Sequence, residues 1–589
     1  MHAEEPKSTA TIPPEPRSIY PVAFLTDKHS PQAAAYLKDP PTERLVEFFE
    51  SKGLEPLKDE DRREEWYADW IEYQRIHALY ASVLSPEEYS ARGTPFDLLR
   101  YARFLETFAY CSPAHGYSLQ VTFLGLFCIL MGSNADLKRE AVAALEQGGL
   151  LAFGVSEQEH GSDLLANEFT IRAVESGGYI ANGRKYYIGN ADVASIISVL
   201  GRKIEGSRRE HSNRAPFMLI AVRPQQNPNF KSLGKIRTLG VRAANVGSFE
   251  VLDQAVPAAD IIAEGRTAWD SIFGTITLGK FFLGFGSIGI CERSLEEATA
   301  HLKRRILYGK PAIEMPHLRA LAAQAYIRLL AMKLYAFRAI DYVHAGTAAD
   351  RRYLLFCAVQ KARVSTEGVK VMALLQECMG AKGFESDTYF EMALRDVQLI
   401  PGLEGSMHIN LGLALQFIRR YFDRPDSGLA EPASITAGET SSRENPYLFR
   451  ARTGSPHAVS FPDYREAYRA IETHPNVAMF AVQIDCFNQL SLLAGEASAA
   501  TDSQTAMAIG HCFATIVYGQ LVAENIRKLN LPLSIVNRIF SVLVTDLTQL
   551  ALQFAAIPNV DAAQRQLAMQ MVKVPENNAI DWEFLSSQL

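Results

Sequence analysis

Cysteine is scarce in this 589-residue sequence, and none of its cysteines form a Cys-x-x-Cys pair. The seven scattered thiols favour a reducing compartment over disulfides or a zinc site, so we expect no metal centre. Basic charge is not in excess either, since 59 Lys and Arg oppose 66 Asp and Glu to give a net charge of −7. This balance provides no overall positive field and argues against nucleic acid as a partner.

Long apolar runs are also lacking. The stretch Met1–Tyr20 is polar and rich in proline, without the apolar core of a secretion signal. The apolar segment Phe281–Ile290 is too short and too rich in glycine to cross a membrane. No internal repeat is evident. These absences predict a soluble cytoplasmic protein without a transmembrane segment.

The predicted secondary structure changes twice along the sequence. Helical periodicity begins near Pro41, gives way to short β-type segments at Gly148, and returns after Gly265. Residues 175–178, which contain a Gly-Gly pair, predict the turn of a β-hairpin. The long helices predicted after Gly265 suggest an up-and-down bundle. Those helices are Ile272–Arg305, His317–Ala345, Ala348–Glu377 and Asn410–Tyr421.

The predicted fold class is mainly α with a central β-barrel-like domain. We divide the chain into an N-terminal arm (1–40), an α-helical domain (41–148), a β-domain (149–264), a four-helix-bundle domain (265–423), a linker (424–446) and a C-terminal helical domain (447–589). No clustered Gly-rich loop or carboxylate–His pair marks the last domain as a separate active site. We therefore expect its helices to cover one face of the bundle.

Glu404 is the most informative single residue. It is the only charge in the run Leu399–Met407, which lies between two segments with helical patterns. Glycine, proline and apolar neighbours solvate a carboxylate poorly, so its pKa should rise toward neutrality. Such a group can act as a general base toward a weakly acidic C–H bond. The alternative is an ordinary glutamate exposed at the tip of a loop.

Five short motifs occur in order between residues 151 and 406. They read VSEQEHGSD (155–163), NGRKYYIGN (182–190), RILYGK (305–310), CMGAKGF (378–384) and LEGS (403–406). Each is weak alone, but together they resemble the acyl-CoA dehydrogenase and acyl-CoA oxidase superfamily. The resemblance implies that family's architecture, with an α-helical N-domain, a β-domain and a four-helix bundle, extended here by the C-terminal helices.

The resemblance also implies a function, the FAD-dependent α,β-dehydrogenation of an acyl thioester to its trans-2-enoyl form. Glu404 would be the general base, and FAD N5 would accept the hydride. Residues implied to contact FAD are Phe153, Val155, Ser156, Gly161, Ser162, Tyr187, Ile188, Gly189, Arg305, Glu377, Gly380, Ala381 and Ser406. Residues implied to contact the substrate are Ser162, Gly279, Leu403, Glu404 and Gly405. Gly279 stands where some relatives carry the base, and it is expected to leave room for substrate.

The implied partners are acyl-CoA or an acyl-carrier protein as substrate and an electron-transfer flavoprotein as acceptor. Contacts of Arg305 and Gly380 with a FAD shared between subunits imply a homodimer. One alternative is an oxidase that passes electrons to O2, and another is a non-catalytic protein that retains the fold. Gly189 supports the latter, because it replaces a threonine that usually meets flavin N5. Tyr187 packs either on the flavin or in the core of the β-domain.

Overall fold

The computed structural model describes residues 35–92, 95–175, 177–204, 216–423, 425–450, 459–497 and 503–577. Most of the predicted N-terminal arm lies outside these ranges. Seven helices precede the first strand in the described part of the chain. They are α1 (Pro40–Lys52), α2 (Leu54–Arg63), α3 (Ala68–His77), α4 (Leu79–Leu84), α5 (Leu98–Cys111), α6 (Pro113–Leu130) and α7 (Ala135–Glu146). Asp97 and Asn134 cap α5 and α7 by accepting hydrogen bonds from backbone N–H groups of the first turn.

A mixed β-sheet follows these helices. Its strands are β1 (Leu150–Gly154), β2 (Thr170–Ala173), β3 (Tyr179–Gly189), β4 (Ala194–Ile204), β5 (Phe217–Val222), β6 (Phe230–Lys235), β7 (Val246–Val256) and β8 (Ile261–Glu264). They are ordered β6-β7-β3-β2-β4-β5-β8, and β1 pairs with β4 in parallel. The antiparallel pairing of β2 with β3 confirms the predicted hairpin.

The helix bundle begins after the sheet with the long helix α8. The elements are α8 (Gly265–Arg304), the short strands β9 (Ile306–Leu307) and β10 (Lys310–Pro311), α9 (Pro316–His344), α10 (Tyr353–Val359), α11 (Ser365–Met379), α12 (Tyr389–Leu399), α13 (Met407–Leu415) and α14 (Ile418–Asp423). Gly289 lets α8 approach α5 closely, because a Cβ at this position would clash with the backbone of Glu106. Helices packed around a central sheet confirm the predicted fold class.

Two predicted helices differ from the structure. The helix predicted from Ala348 starts at Tyr353, because the Thr347 N–H donates to the Asp350 carbonyl and the Asp350 N–H donates to Thr347 Oγ1, which forms a turn. This helix is also interrupted by a π-helical turn at Gln360–Val364. The helix predicted over Asn410–Tyr421 begins earlier, and it breaks into α13 and α14 after residue 415. Hydrophobic periodicity does not show a π turn, since one extra residue hardly shifts the apolar face.

The C-terminal helices pack on the bundle. They are α15 (Glu466–Arg469), α16 (Pro475–Ala497), α17 (Ser503–Leu529), α18 (Leu533–Ala555) and α19 (Ala562–Gln570). α17 contacts α9 and α13, and α18 contacts α9. Two buried arginines of α9 anchor this contact: Arg328 binds Asp546 of α18 at 2.7 Å, and Arg338 binds Glu524 of α17 at 2.8 Å. Removing one partner of such a pair would leave a buried charge uncompensated. The two ion pairs therefore fix the position of the C-terminal helices on α9.

Four helices among the described residues, α6, α8, α17 and α18, are long and apolar enough to cross a membrane by length and composition alone. This differs from the sequence-based prediction that no stretch reaches that length. The apolar windows of the four helices are 83%, 83%, 78% and 56% buried inside the fold. Their apolar surface is therefore largely covered by other parts of the protein.

Candidate active site

Glu404 lies in a sharp turn between α12 and α13. Its φ is +52°, and Gly405 follows with φ +89°. A left-handed glutamate is uncommon, and such backbone strain tends to occur at functional sites. The turn directs the side chain into the protein, where Oε2 is buried without a hydrogen-bond partner among the described residues. The carboxylate therefore does not have the geometry of an exposed loop-tip glutamate.

Gln120 of α6 holds the second carboxylate oxygen. Its Nε2 donates to Glu404 Oε1 at 3.1 Å and to the Gly279 carbonyl at 3.0 Å. A Cβ at Gly279 would collide with Leu124 and with Glu404 Oε2. The missing side chain at Gly279 therefore leaves the space in which the Glu404 carboxylate lies, and the predicted substrate contact at this residue stays a prediction. The sequence signal for Gln120 was only a polar side chain within an apolar helix.

Two buried lysines face the same carboxylate. Lys361, in the π-helical turn, donates from Nζ to the carbonyls of Ile400 at 2.6 Å and Pro401 at 2.9 Å. It thereby fixes the 3-10 turn that leads into Glu404. Lys280 of α8 is 3% exposed and forms no hydrogen bond with a described residue. Sequence analysis missed both contacts, since these lysines are far from Glu404 along the chain.

Burial dominates the proton affinities of these three groups. It raises the pKa of Glu404 to about 7, against the Gln120 hydrogen bond and the charges of Lys361 and Lys280. Burial lowers the pKa of Lys361 to about 7 and that of Lys280 to about 8, although the Glu404 carboxylate opposes both shifts. A carboxylate with a pKa near neutrality is suited to accept a proton at physiological pH.

We expect kcat/KM to increase with pH and to level off above about pH 7, because Glu404 accepts a proton only when ionised. The Gln120→Leu variant should move this acidic limb to higher pH, since the hydrogen bond that favours the ionised form is lost. Steady-state rates from pH 5 to 9 measure both effects. An acidic limb near pH 4.5, the ordinary value for glutamate, would contradict the assignment.

A buried ion pair holds the loop after β1 in place. Glu157 forms a buried ion pair with Lys185 at 2.8 Å, and the same ammonium donates to the Val155 carbonyl at 3.1 Å. Glu157, His160 and Glu168 lie close enough together to be considered as metal ligands. Both Glu157 oxygens already accept hydrogen bonds, from Lys185 and from backbone N–H groups of residues 168 and 169. This cluster therefore serves to fix the loop.

Tyr187 forms the outer edge of this region. A register shift in the pairing of β3 with β7, between Lys185 and Ile188, puts Tyr187 at φ +59°. Its side chain is 59% exposed, so the alternative of a β-domain core residue is wrong. Ile188, by contrast, is fully buried in the sheet core, and its side chain is not available to a ligand. Only the backbone of Ile188 remains as a ligand contact.

Gly189 adjoins Tyr117 of α6. A Cβ at Gly189 would lie 2.9 Å from the Tyr117 ring and 3.1 Å from its hydroxyl oxygen. Any larger residue at 189 would displace this tyrosine. Burial and, less strongly, the negative charge of Glu404 raise the pKa of Tyr117. The sequence did not indicate that Tyr117 packs beside Gly189.

The remaining predicted site residues fall into two groups. Phe153 is half-buried at the end of β1, Ser156 donates from Oγ to the Tyr186 carbonyl at 2.7 Å, and Ser406 caps α13. Gly161 and Ser162 are exposed. A second group is exposed at the far end of the bundle, well away from Glu404. Its members are Arg305, Glu377, Gly380 and Ala381.

An apolar cavity lies between α5, α6, α8 and the segment that leads into Glu404. Gln120, which binds Glu404, and Leu403, which precedes it, both line this cavity. The other lining residues are Leu105, Ala109, Pro113, Gly116, Tyr117, Val241, Phe282, Leu283, Gly286, Ile290, Asp396, Leu399 and Ile400. A cavity with this lining suits a largely apolar ligand.

Comparisons with known proteins agree with this arrangement. The family model for the acyl-CoA dehydrogenase middle domain matches residues 152–253, and that for the C-terminal domain matches residues 269–418. A cyclohex-1-ene-1-carbonyl-CoA dehydrogenase of Syntrophus aciditrophicus is 25% identical over 56% of this chain and 77% of that protein.

Solved structures share the fold. Butyryl-CoA dehydrogenase of Megasphaera elsdenii has a TM-score of 0.59 at 20% identity, covering 65% of this chain and 99% of that chain. An acyl-CoA dehydrogenase in complex with FAD from Bacillus anthracis has a TM-score of 0.74 at 16% identity, covering 94% of each chain. The latter match is long enough to include the C-terminal helices.

Residues 152–253 and 269–418 match the middle and C-terminal domains of the acyl-CoA dehydrogenases, which confirms the resemblance drawn from the five motifs. The protein is an oxidoreductase of the class that acts on CH–CH bonds, and its family is FAD-dependent. The residues present fit a flavin. A Cβ at Gly161 would meet no atom within 4 Å, so the backbone there is open to a ligand, and Tyr187 presents an exposed ring.

Proposed function

We propose that the protein catalyses the α,β-dehydrogenation of an acyl thioester and that Glu404 takes the α-proton. The observation that carries this proposal is the buried Oε2 of Glu404, which has no hydrogen-bond partner among the described residues. The hydrogen-bond partner of its other oxygen, Gln120, and its chain neighbour, Leu403, both line an apolar cavity.

Glu404 and Gln120 have different roles in removing the proton. An α C–H beside a thioester is a weak acid, and burial strengthens Glu404 as a base. Gln120 holds Oε1, which leaves Oε2 to accept the proton. A hydrogen bond to the thioester oxygen, for which the backbone N–H of Glu404 is a candidate, typically contributes about 3–4 kcal/mol. The C–H electron pair then forms the double bond.

FAD, when bound, supplies the acceptor for the hydrogen and the two electrons that leave the β-carbon. Phe153, Val155, Ser156, Gly161, Ser162, Tyr187, Ile188, Gly189 and Ser406 are the residues that we assign to its flavin side. The donors of the loop after β1 are preorganised by the Glu157–Lys185 pair. Tyr117 and Val121 fill the space beside Gly189, so the wall facing the ring is closed to water.

We also propose a homodimer. Along α8, Gly279 and Arg305 are separated by about 39 Å at 1.5 Å per residue. This distance exceeds the length of a dinucleotide, so one chain cannot bring the Glu404 group and the group at Arg305, Glu377, Gly380 and Ala381 to the same FAD. A second copy supplies the missing contacts. The C-terminal helices cover a face of the bundle, which supports a dimer rather than a tetramer.

The substrate carrier is proposed to be CoA, with an acyl-carrier protein as the alternative. We propose an electron-transfer flavoprotein as acceptor, since Leu165 exposes 61% of its surface beside the flavin loop. Such an apolar surface suits a transient protein partner. A cytoplasmic location is supported by the scattered cysteines, of which six are buried.

The proposal is tested by an anaerobic spectral screen of acyl-CoA thioesters. An acyl-CoA substrate should bleach the absorbance of the oxidised flavin, because two electrons move to the ring without oxygen. Admitting air to the reduced enzyme distinguishes the acceptors: slow recovery with little peroxide supports a protein acceptor, whereas rapid peroxide release supports the oxidase. A purified protein that stays colourless after incubation with FAD would contradict the proposed function.

A further inference from the structure

The C-terminal helices contact the segment that carries Lys361. This segment is the π-helical turn Gln360–Val364, which contacts α8, α13 and α17. The same turn carries Arg363, which is also buried. Residues two positions apart point to nearly opposite sides of a helix. The π turn therefore faces the Glu404 turn with Lys361 and the C-terminal helices with Arg363.

Asp546 of α18 is the residue of the C-terminal helices that binds Arg363. Arg363 Nη2 donates to Asp546 Oδ2, and Arg328 of α9 donates to both oxygens of the same carboxylate, at 2.7 Å and 3.0 Å. Burial raises the pKa of Asp546, but the charges of Arg363 and Arg328 outweigh burial and hold this pKa below its ordinary value. The carboxylate is therefore ionised, and it fixes the Arg363 side chain.

A second contact joins the C-terminal helices to the segment after Glu404. Gly510 of α17 faces α13, the helix that follows the Glu404 turn. A Cβ at Gly510 would lie 3.2 Å from Leu411 Cβ and 3.6 Å from Leu415 Cδ1, so the two helices are in close contact. The C-terminal helices thus support the chain on both sides of Glu404.

A continuous series of buried contacts connects Asp546 to the turn before the base. Asp546 fixes Arg363, and the π turn joins Arg363 to Lys361. Lys361 in turn donates to the carbonyls of Ile400 and Pro401. A close-packed interior has little free volume to absorb a displacement, so a shift at one end of this series is transmitted to the other.

We propose that Asp546 is a positioning residue for Glu404 and acts through the π-helical turn. This inference rests on the proposed dehydrogenation and gives the C-terminal helices a part in it, because they hold the turn that aims the carboxylate. The role goes beyond covering a face of the bundle, since a mere cover would not change the rate of proton removal.

Replacing Asp546 by asparagine in the FAD-loaded, full-length enzyme tests this role. The assay uses the acyl-CoA thioester that bleaches the wild-type flavin fastest. We expect kcat to fall about 10- to 100-fold and KM to stay within about threefold, since the base is misplaced while the ligand still binds. Because the base is displaced rather than protonated, kcat should not recover at pH 9. A kcat within threefold of the wild type at pH 7 or at pH 9 would overturn the proposal.

Glu524→Gln is the matched control. Glu524 of α17 binds Arg338 of α9 at 2.8 Å, so this change also breaks a buried ion pair between the C-terminal helices and the bundle. Among the described residues, Glu524 forms hydrogen bonds with Arg338, Tyr342 and Gln520 and none with the π turn. Glu524→Gln should therefore keep kcat within about threefold of the wild type. An equal loss of kcat in both variants would overturn the proposal.

Arg363→Met tests the same series of contacts if Asp546→Asn does not fold. The ion-pair cluster has three basic and two acidic members, namely Arg328, Arg363, Lys370, Glu367 and Asp546. Removing Arg363 leaves the charges balanced, so this variant should fold. It should also lower kcat about tenfold or more, and a wild-type kcat would contradict the positioning role.

A double-mutant cycle distinguishes action through Lys361 from an independent effect. If Asp546 acts through Lys361, the Lys361→Met/Asp546→Asn double variant should be no more than about threefold slower than Lys361→Met alone. Multiplication of the two separate losses would overturn the proposed series of contacts.

Amide hydrogen exchange separates this proposal from the proposed dehydrogenation, because it needs no turnover. Exchange in residues 400–407 should become about tenfold faster in Asp546→Asn and stay unchanged in Glu524→Gln, since only the first change releases the turn. If no acyl-CoA thioester bleaches the wild-type flavin, the dehydrogenation is wrong, and the exchange rates still decide whether Asp546 holds the turn. Unchanged exchange in Asp546→Asn would overturn the positioning role.

Discussion

Replacing Glu404 by glutamine is expected to leave FAD and acyl-CoA bound and to slow flavin reduction by about 10⁴-fold, the upper range for loss of a general base. The amide has the size of the carboxylate and can still accept the Gln120 hydrogen bond through its oxygen. It cannot take the α-proton, so the variant should keep its affinity for both ligands and lose only the rate of the chemical step. Stopped-flow absorbance of the flavin under anaerobic conditions measures the rate.

Two further variants sharpen this test. Glu404→Asp keeps the base but withdraws it by one methylene, and a misplacement of this size is expected to cost about 10²-fold. Glu472→Gln, an exposed site among the C-terminal helices, serves as the control and should reduce its flavin at the wild-type rate. Wild-type reduction by the Glu404→Gln variant would discard the mechanism and revive the non-catalytic alternative.

Replacing Lys361 by methionine is expected to lower kcat by about 10²-fold even at pH values where Glu404 is ionised. Lys361 donates to the Ile400 and Pro401 carbonyls, so its loss removes one hydrogen bond from each carbonyl and releases the turn that aims the carboxylate. The acidic limb of the pH profile should also move upward, because a nearby positive charge that favours ionised Glu404 is removed.

Lys280→Met is the matched control for that experiment. Lys280 also favours the ionised carboxylate but forms no hydrogen bond with the described part of the turn. This variant should therefore shift the acidic limb and recover most of its kcat at high pH, whereas Lys361→Met should not recover. Equal recovery of the two variants at pH 9 would show that Lys361 acts through charge alone.

Local sequence was sufficient for the features that depend on neighbours along the chain. The apolar run around Glu404 indicated a raised pKa, and the structure places that pKa at about 7. The glycine-rich turn at 175–178 indicated the β2–β3 hairpin.

Other features depended on residues that are distant in sequence. Gln120 binds Glu404 across 284 positions, and Lys361 reaches the turn before it from a π-helical segment without a signature in the apolar pattern. The neighbours of Gly189 likewise come from α6. Such contacts are created when helices pack, and the periodicity of one segment carries no information about which residue of another segment it will face.

The sequence alone predicted the family and the fold class and singled out Glu404 as the candidate acid, because short motifs and the local solvation of a carboxylate depend on neighbouring residues. Only the tertiary structure decided what holds that acid, which of its oxygens is free and which residues line the neighbouring cavity. The physical reason is that hydrogen-bond partners and cavity walls are set by distances between elements, and these distances exist only after the chain has folded.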